Sequence, residues 1–183
     1  GTIQETQYAQ PALVAVGLAL AKSWQALGVQ PSMVLGHSIG ELAAASIAGV
    51  LSSDDAIDLA GVRGQLMQAC PTGDMLSVSL SQAEVEERLG DHEIDIAAVN
   101  SSAQTVVSGP AEAVARFSET LGPGVVTRKL ATSHAFHSRF MENAARQFAV
   151  DVARRELLPA TIPIVSTVTG RRLAPTDMTD PDY

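Results

Sequence analysis

Two rhythms of apolar and polar positions divide this chain. From Pro11 to Gln68 the apolar residues form long stretches punctuated by Gly and Pro. From Asp74 to Leu130 they form short runs separated by charged, helix-forming stretches. In the first region, Pro11 to Leu27 reads as a helix, with Pro11 in its first turn and Gly28 at its stop. Its middle is apolar nearly all round, which predicts a buried helix. Gln30-Pro31-Ser32 is a turn. Met33-Val34-Leu35 is a short apolar run ending at Gly36, the pattern of a central parallel strand. Ile39 to Ala48 is Ala-rich and helical up to Gly49. Ser52-Ser53-Asp54-Asp55 starts a further helix, with acidic groups in the first turn where the helix dipole favours them. That helix runs to about Gln68, and Cys70-Pro71-Thr72-Gly73 breaks the chain.

In the second region, Met75 to Leu80 reads as a strand and Ser81 to Leu89 as a helix, with Ser81 as cap and Glu84 three residues on. Ile94 to Val99 and Thr105 to Ser108 are strands, the latter ended by Gly109-Pro110. Ala111 to Leu121 is a helix and Val125 to Leu130 a strand. The order β-α-β-β-α-β is the ferredoxin-like plan. Beyond it lie a polar loop at Ser133 to Ser138, an amphipathic helix at Phe140 to Arg155, a strand at Ile162 to Ser166 and a turn at Val168 to Arg171. The expected fold is therefore α/β. A hydrolase-like core with a parallel sheet (residues 1–72 and 134–183) is interrupted by a smaller ferredoxin-like subdomain (residues 73–133), with boundaries near Gly73 and Ser133.

Composition narrows the class. The chain has 183 residues, 46% hydrophobic and 17% charged, which predicts a folded domain with a real core. A net charge of −8 is a poor match for a phosphate backbone, so no nucleic-acid partner is expected. Cys70 is the sole cysteine, which leaves no internal disulfide and suits a reducing cytoplasm. The most apolar early run, Pro11 to Ala21, is too short to span a bilayer, and no signal peptide opens the chain, so neither a membrane nor export is expected. Gly1-Thr2-Ile3 has no start methionine and the chain stops at Tyr183 without a cap, which suggests a piece of a longer protein.

The chemistry centres on Gly36-His37-Ser38-Ile39-Gly40. G-x-S-x-G between a short strand and a helix is the pattern of a nucleophile elbow. Gly36 and Gly40 would let the backbone turn sharply and let strand and helix approach closely. Ser38 would stand at the apex, at the positive end of the next helix, with the Ile39 amide aimed where an oxyanion forms. The bland alternative is a Gly-rich turn with Ser38 as a plain helix cap. A nucleophilic serine needs a general base. His92 lies in a charged loop that reads as solvated, and His37 adjoins Ser38, so its side chain points elsewhere. His134 and His137 lie where the chain re-enters the core, and spacing does not choose between them.

These residues resemble the acyltransferase domain of modular type I polyketide synthases, and are similar to the malonyl-CoA:acyl-carrier-protein transacylases. The matching blocks are Gly36 to Glu41, His134-Ala135-Phe136-His137-Ser138, Tyr8 to Ala12, Gly61 to Gly64 with Leu66-Met67, Ala97 to Ser101, Val107 to Pro110, and Val168 to Gly170. They occur in family order along nearly the whole chain. The resemblance implies Ser38 as the acylated nucleophile, His137 as the base and Arg63 as the partner of the extender unit's free carboxylate, with His37 beside the substrate. From the residues themselves, Arg63 lies beside the apolar face of its helix, and a guanidinium grips a carboxylate through two parallel hydrogen bonds. The family's His-Ala-Phe-His form goes with malonyl units and a Tyr-Ala-Ser-His form with methylmalonyl units. The Phe136 ring would fill the space of an α-methyl group, and Ile39 agrees, because methylmalonyl-type domains often carry Gln there. One methyl group is worth roughly 1–3 kcal/mol of discrimination, so a methylmalonyl-type domain remains an alternative.

The resemblance implies malonyl-CoA as donor and the phosphopantetheine thiol of an acyl carrier protein as acceptor. It implies no metal or redox cofactor, and places neighbouring ketosynthase and other synthase domains in the same chain, in polyketide and antibiotic biosynthesis. It also implies an upstream Gly-Gln-rich loop with a second oxyanion donor, and downstream segments that position the histidine. The isolated segment is therefore expected to be weakly active or inactive. A serine hydrolase or thioesterase would share the elbow. It would have no need of Arg63 and would require an acid before the histidine, for which Asp91 and Asp95 in the insert are badly placed. A non-catalytic docking module would have no need of Ser38, His137 and Arg63 together.

Overall fold

The structure, a computed structural model, describes residues 2–91, 93–181 and 183. The Cα framework divides into two compact units, Gly1–Gln68 with Arg146–Tyr183, and Ala69–Ala145. The hydrophobic pattern puts these divisions near Gly73 and Ser133. The compact second unit reaches further at both ends because its entry and exit segments pair with each other. Thr72 bridges His134, the Gly73 amide donates to the Ser133 carbonyl at 3.2 Å, and a Cβ on Gly73 would lie 2.8 Å from the Ala135 Cβ.

The first unit contains helices α1 (Thr6–Ala26), α2 (Gly40–Ile47) and α3 (Ser53–Gln68) and strand β1 (Val34–Leu35). Strand β6 (Ile164–Val165) pairs with β1 in parallel, Val34 opposite Ile164. Helix α6 (Glu142–Val152) begins in the second unit and ends in the first. Its Phe148 and Val152 join a core built on Ala45, Ala48, Val50, Leu59 and Ile164. Arg155, just past α6, ties this end to α3 through Asp55 at 3.1 Å and through Asp58.

Helix α1 departs from expectation in two ways. It starts at Thr6, five residues before Pro11, so Pro11 sits inside the helix rather than in its first turn. A tertiary partner supports the early start: the Thr6 amide donates to the Gln68 side chain of α3 at 3.0 Å. The helix is also not buried all round. Thr6, Gln10, Val14 and Leu18, spaced four apart, form its buried stripe, and Val14 and Leu18 pack on Ala56 and Ala60 of α3. A second apolar stripe from Leu13 (61% exposed) through Val16 and Leu20 to Trp24 (59%) faces solvent. Among the described residues of its unit, α2 and α3 are the helices that make extensive contact with α1, and they cover one side of it.

The second unit holds β2 (Asp74–Val78), α4 (Gln82–Leu89), β3 (Asp95–Ser101), β4 (Gln104–Gly109), α5 (Ala111–Thr120) and β5 (Thr127–Lys129). The four strands form an antiparallel sheet in the order β3-β4-β2-β5, the ferredoxin-like arrangement expected from the element order. Leu76 faces Val107 across the central pair. Both join Val85 of α4 and Phe117 of α5 in one core. Ser81 and Glu84 complete the expected capping box at α4, with the Glu84 carboxylate accepting from the Ser81 amide at 2.8 Å. The fold is thus α/β, with a parallel pair in one unit and a ferredoxin-like sheet in the other.

The crossing of α1 and α3 is tight at one point. A Cβ on Gly64 would lie 2.7 Å from the Thr6 carbonyl oxygen and 2.9 Å from the Gln7 Cα, whereas a Cβ on Gly61 meets nothing within 4 Å. Gly64→Ala is expected to destabilise the protein by about 2 kcal/mol through overpacking against backbone. Gly61→Ala, in the same helix, is expected to stabilise it by up to about 1 kcal/mol. Denaturant unfolding of the two variants checks the opposite signs.

Candidate active site

The Ser38 turn follows from its glycines and its strain. β1 ends at Leu35 and α2 begins at Gly40, so only four residues reverse the chain. The Gly40 amide donates to the His37 carbonyl at 2.9 Å and the Glu41 amide to the Ser38 carbonyl at 3.0 Å. Gly36 is required: a Cβ there would lie 2.2 Å from the Gly40 carbonyl. Gly40 differs from expectation, because a Cβ there meets open space. Its backbone is what crowds Gly36, and its own missing side chain is not the reason for the approach. Ser38 adopts φ 52°, in the left-handed region that β-carbon-bearing residues avoid. The Ile39 amide donates to no acceptor among the described residues, and the Ile39 side chain packs against the α1–α3 core. The His37 side chain is exposed.

Glu41, in the first turn of α2, ties the turn to the chain after β6. Its Oε1 accepts from the Thr167 amide at 3.2 Å and from the Thr167 hydroxyl at 2.9 Å. The next charged neighbour is Arg63 on α3. Its Nη2 donates to Ser38 Oγ at 3.3 Å and its Nη1 to Gln10 Oε1 at 2.7 Å. Arg63 forms no ion pair within 4 Å among the described residues. Burial lowers the pKa of the guanidinium from its ordinary value, and the more distant Glu41 carboxylate opposes that shift. A cation short of a counter-ion thus stands beside the serine. It keeps donors to spare, since a guanidinium carries five N–H groups.

In the second unit the structure separates the two loop histidines. His134 is 2% exposed, lies 2.7 Å from the Ser133 hydroxyl through Nδ1 and stacks on Phe136 with ring centroids 5.7 Å apart. His137 is exposed and adopts φ 57°. The loop is pinned on both sides of it. The Ser138 hydroxyl donates to the Ala135 carbonyl at 2.6 Å. Asp95 accepts from the Arg139 amide at 2.8 Å and from its guanidinium at 2.6 Å. Arg139 holds the Asp95 carboxyl below the usual carboxylate range. Asp95 is thus engaged as a clamp on the loop. His92 lies outside the described residues.

The residues singled out by sequence therefore fall as follows. His37, Ser38, Ile39 and Arg63 lie in the first unit, with Ser38 and Arg63 in hydrogen-bond contact. Phe136 and His137 lie in the second. Gln10 is a site residue that the sequence motifs do not single out, although it lies within the Tyr8 to Ala12 block. A polar residue in register with Val14 and Leu18 on a buried stripe is the signal that marks it. Among the described residues no group of three or more His, Cys, Asp or Glu could hold a metal ion, and no helix is long and apolar enough to cross a membrane.

The sequence matches the acyl transferase domain family over residues 1–181. It is 45% identical over 171 residues to a mycoketide-CoA synthase of Mycobacterium tuberculosis, covering 92% of this chain and 4% of that one. The fold matches the acyltransferase domain from the second module of the salinomycin polyketide synthase with a TM-score of 0.90 and 42% identity, over 94% of this chain and 42% of that one. It matches the malonyl CoA-acyl carrier protein transacylase of Burkholderia pseudomallei with a TM-score of 0.88 and 32% identity, over 98% and 64%. The chain thus spans under a tenth of that synthase and about half of the solved domains. With a Ser38 elbow between β1 and α2, a ferredoxin-like second unit and a family match over residues 1–181, this chain belongs to the acyl transferase domain family found in polyketide synthases and malonyl-CoA-type transacylases.

Proposed function

We propose that this segment carries the acyl-loading chemistry of a malonyl-specific acyltransferase acting in polyketide assembly. The observation that supports it most is the Arg63 guanidinium, 3.3 Å from Ser38 Oγ and paired with no carboxylate among the described residues. A plain esterase has no use for such a cation. An acyl group ending in a carboxylate does, and the guanidinium fork suits it.

In the proposed reaction His137 takes the Ser38 proton as Oγ attacks the thioester carbon of malonyl-CoA. A C–O bond forms, and the oxyanion accepts from the Ile39 amide. The C–S bond then breaks, CoA leaves as its thiol with the proton from His137, and a malonyl ester remains on Ser38. In the second half the phosphopantetheine thiol of an acyl carrier protein gives its proton to His137 and attacks the ester. The new C–S bond forms, the C–O bond breaks and Ser38 regains its proton. Arg63 holds the malonyl carboxylate throughout. The choice of His137 over His134 rests on the family resemblance and is supported by the exposure of the one and the burial of the other. Phe136 is proposed to exclude an α-methyl group. The carrier protein, neighbouring synthase domains such as a ketosynthase, and a cytoplasmic setting belong to the same proposal.

Three experiments on a complete acyl transferase domain test it. Ser38→Ala is expected to abolish the malonyl adduct seen by intact-protein mass spectrometry. Arg63→Ala is expected to lower kcat/KM for malonyl-CoA about 100-fold or more while sparing acetyl-CoA. Equal losses for both donors, or rapid malonyl-CoA hydrolysis with no adduct on the unaltered domain, would favour the hydrolase instead. Phe136→Ser is expected to raise the methylmalonyl-to-malonyl loading ratio about 10- to 100-fold, the range that one methyl group supports. An unchanged ratio in a competition assay would reduce Phe136 to a packing residue.

A further inference from the structure

Gln10 is 5% exposed, on the buried stripe of α1, and every polar atom of its side chain is engaged. Its Nε2 donates to Thr6 Oγ1 at 2.7 Å and to Met67 Sδ at 3.3 Å. Its Oε1 accepts from Arg63 Nη1 at 2.7 Å. A guanidinium can only donate, so the carboxamide has one workable orientation: oxygen toward Arg63, nitrogen toward Thr6 and Met67. Three neighbours therefore fix the amide, and the amide in turn fixes one arm of the guanidinium. The other arm points at Ser38 Oγ.

The chemical identity of the partner matters as much as its position. A carboxylate at the same place would orient Arg63 equally well and would also neutralise it. A carboxamide orients without neutralising. We infer that Gln10 is a positioning residue for the acyl-loading reaction: it aims Arg63 at the Ser38 site through a neutral acceptor, so that the positive charge stays available to the acyl carboxylate. This rests on the reading of Arg63 as the carboxylate partner. Gln10 thereby sets charge selectivity among acyl groups without touching the substrate.

The test compares malonyl-CoA with acetyl-CoA on a complete acyl transferase domain. The Ser38 ester is read by mass spectrometry, kcat and KM by steady-state loading, and folding by thermal unfolding. Gln10→Glu keeps the shape and adds the charge, and it is expected to lower the malonyl-to-acetyl loading ratio at least tenfold. Gln10→Met keeps the volume and removes the acceptor. It is expected to raise KM for malonyl-CoA about tenfold with kcat within about threefold and acetyl-CoA loading unaltered, and it serves alone if Gln10→Glu does not fold. In an Arg63→Ala background neither substitution is expected to change the ratio by more than twofold, because Gln10 acts through Arg63. If the unaltered domain and Arg63→Ala load malonyl equally, the underlying reading of Arg63 fails and this inference with it. If Arg63→Ala removes the malonyl preference while Gln10→Glu and Gln10→Met keep the original ratio and KM, or if the Gln10 and Arg63 effects multiply, Gln10 is overturned as a positioning residue and Arg63 stands.

Discussion

The close approach of α1 to α3 at Gly64 is the contact on which the geometry beside Ser38 depends. The Thr6 carbonyl oxygen lies only 2.7 Å from where a Gly64 side chain would begin. That crossing sets the first turn of α1 against the C-terminal part of α3. One turn on, Gln10 reaches Arg63, the residue before Gly64. The same crossing lets the Gln68 side chain accept from the first amide of α1, a group that a helix start otherwise leaves unsatisfied. Packing and site geometry are therefore one arrangement. A side chain at Gly64 would push apart the two helices whose proximity holds the guanidinium.

Strain marks the two residues proposed to do the chemistry. Among the described residues, Ser38 and His137 are the non-glycine residues with positive φ, at 52° and 57°. Each such conformation costs of order 1–3 kcal/mol and persists only where the surroundings impose it. At Ser38 the imposition comes from Gly36 and the turn hydrogen bonds. Around His137 it comes from the Ser138–Ala135 bond and the Asp95–Arg139 clamp. An extended loop would satisfy its backbone more cheaply. The retained strain is consistent with side chains held in place before any substrate arrives.

Much of this was legible in residues and spacing. The βαββαβ order, the capping box at Ser81 and the elbow could be read because each depends on contacts within a few residues. The start of α1 could not, because Gln68, more than sixty residues away, supplies the partner for its first amide. The exposed second stripe of α1 was hidden for a related reason: composition reports how apolar a helix is, not how many neighbours it has. The elbow motif names both glycines, while sterics need only Gly36. Gln10 is not legible from sequence, because a polar residue among Ala, Pro and Leu carries no mark of its partners Thr6, Met67 and Arg63.

The arrangement beside Ser38 also explains why the cation remains unneutralised. Taking a guanidinium out of water without a counter-ion is unfavourable by several kcal/mol, and folding alone would favour an acidic neighbour. Glu41 is close enough to oppose the downward shift at Arg63, yet its carboxylate is occupied by Thr167. The Glu41 carboxylate is thus committed to Thr167, and the acceptors that do reach Arg63 are a neutral amide and the Ser38 hydroxyl. Such a site is less favourable empty than filled by an anion. An acyl group bearing its own carboxylate would supply the missing charge at the moment it reaches the serine, which couples recognition of the acyl group to its placement for attack.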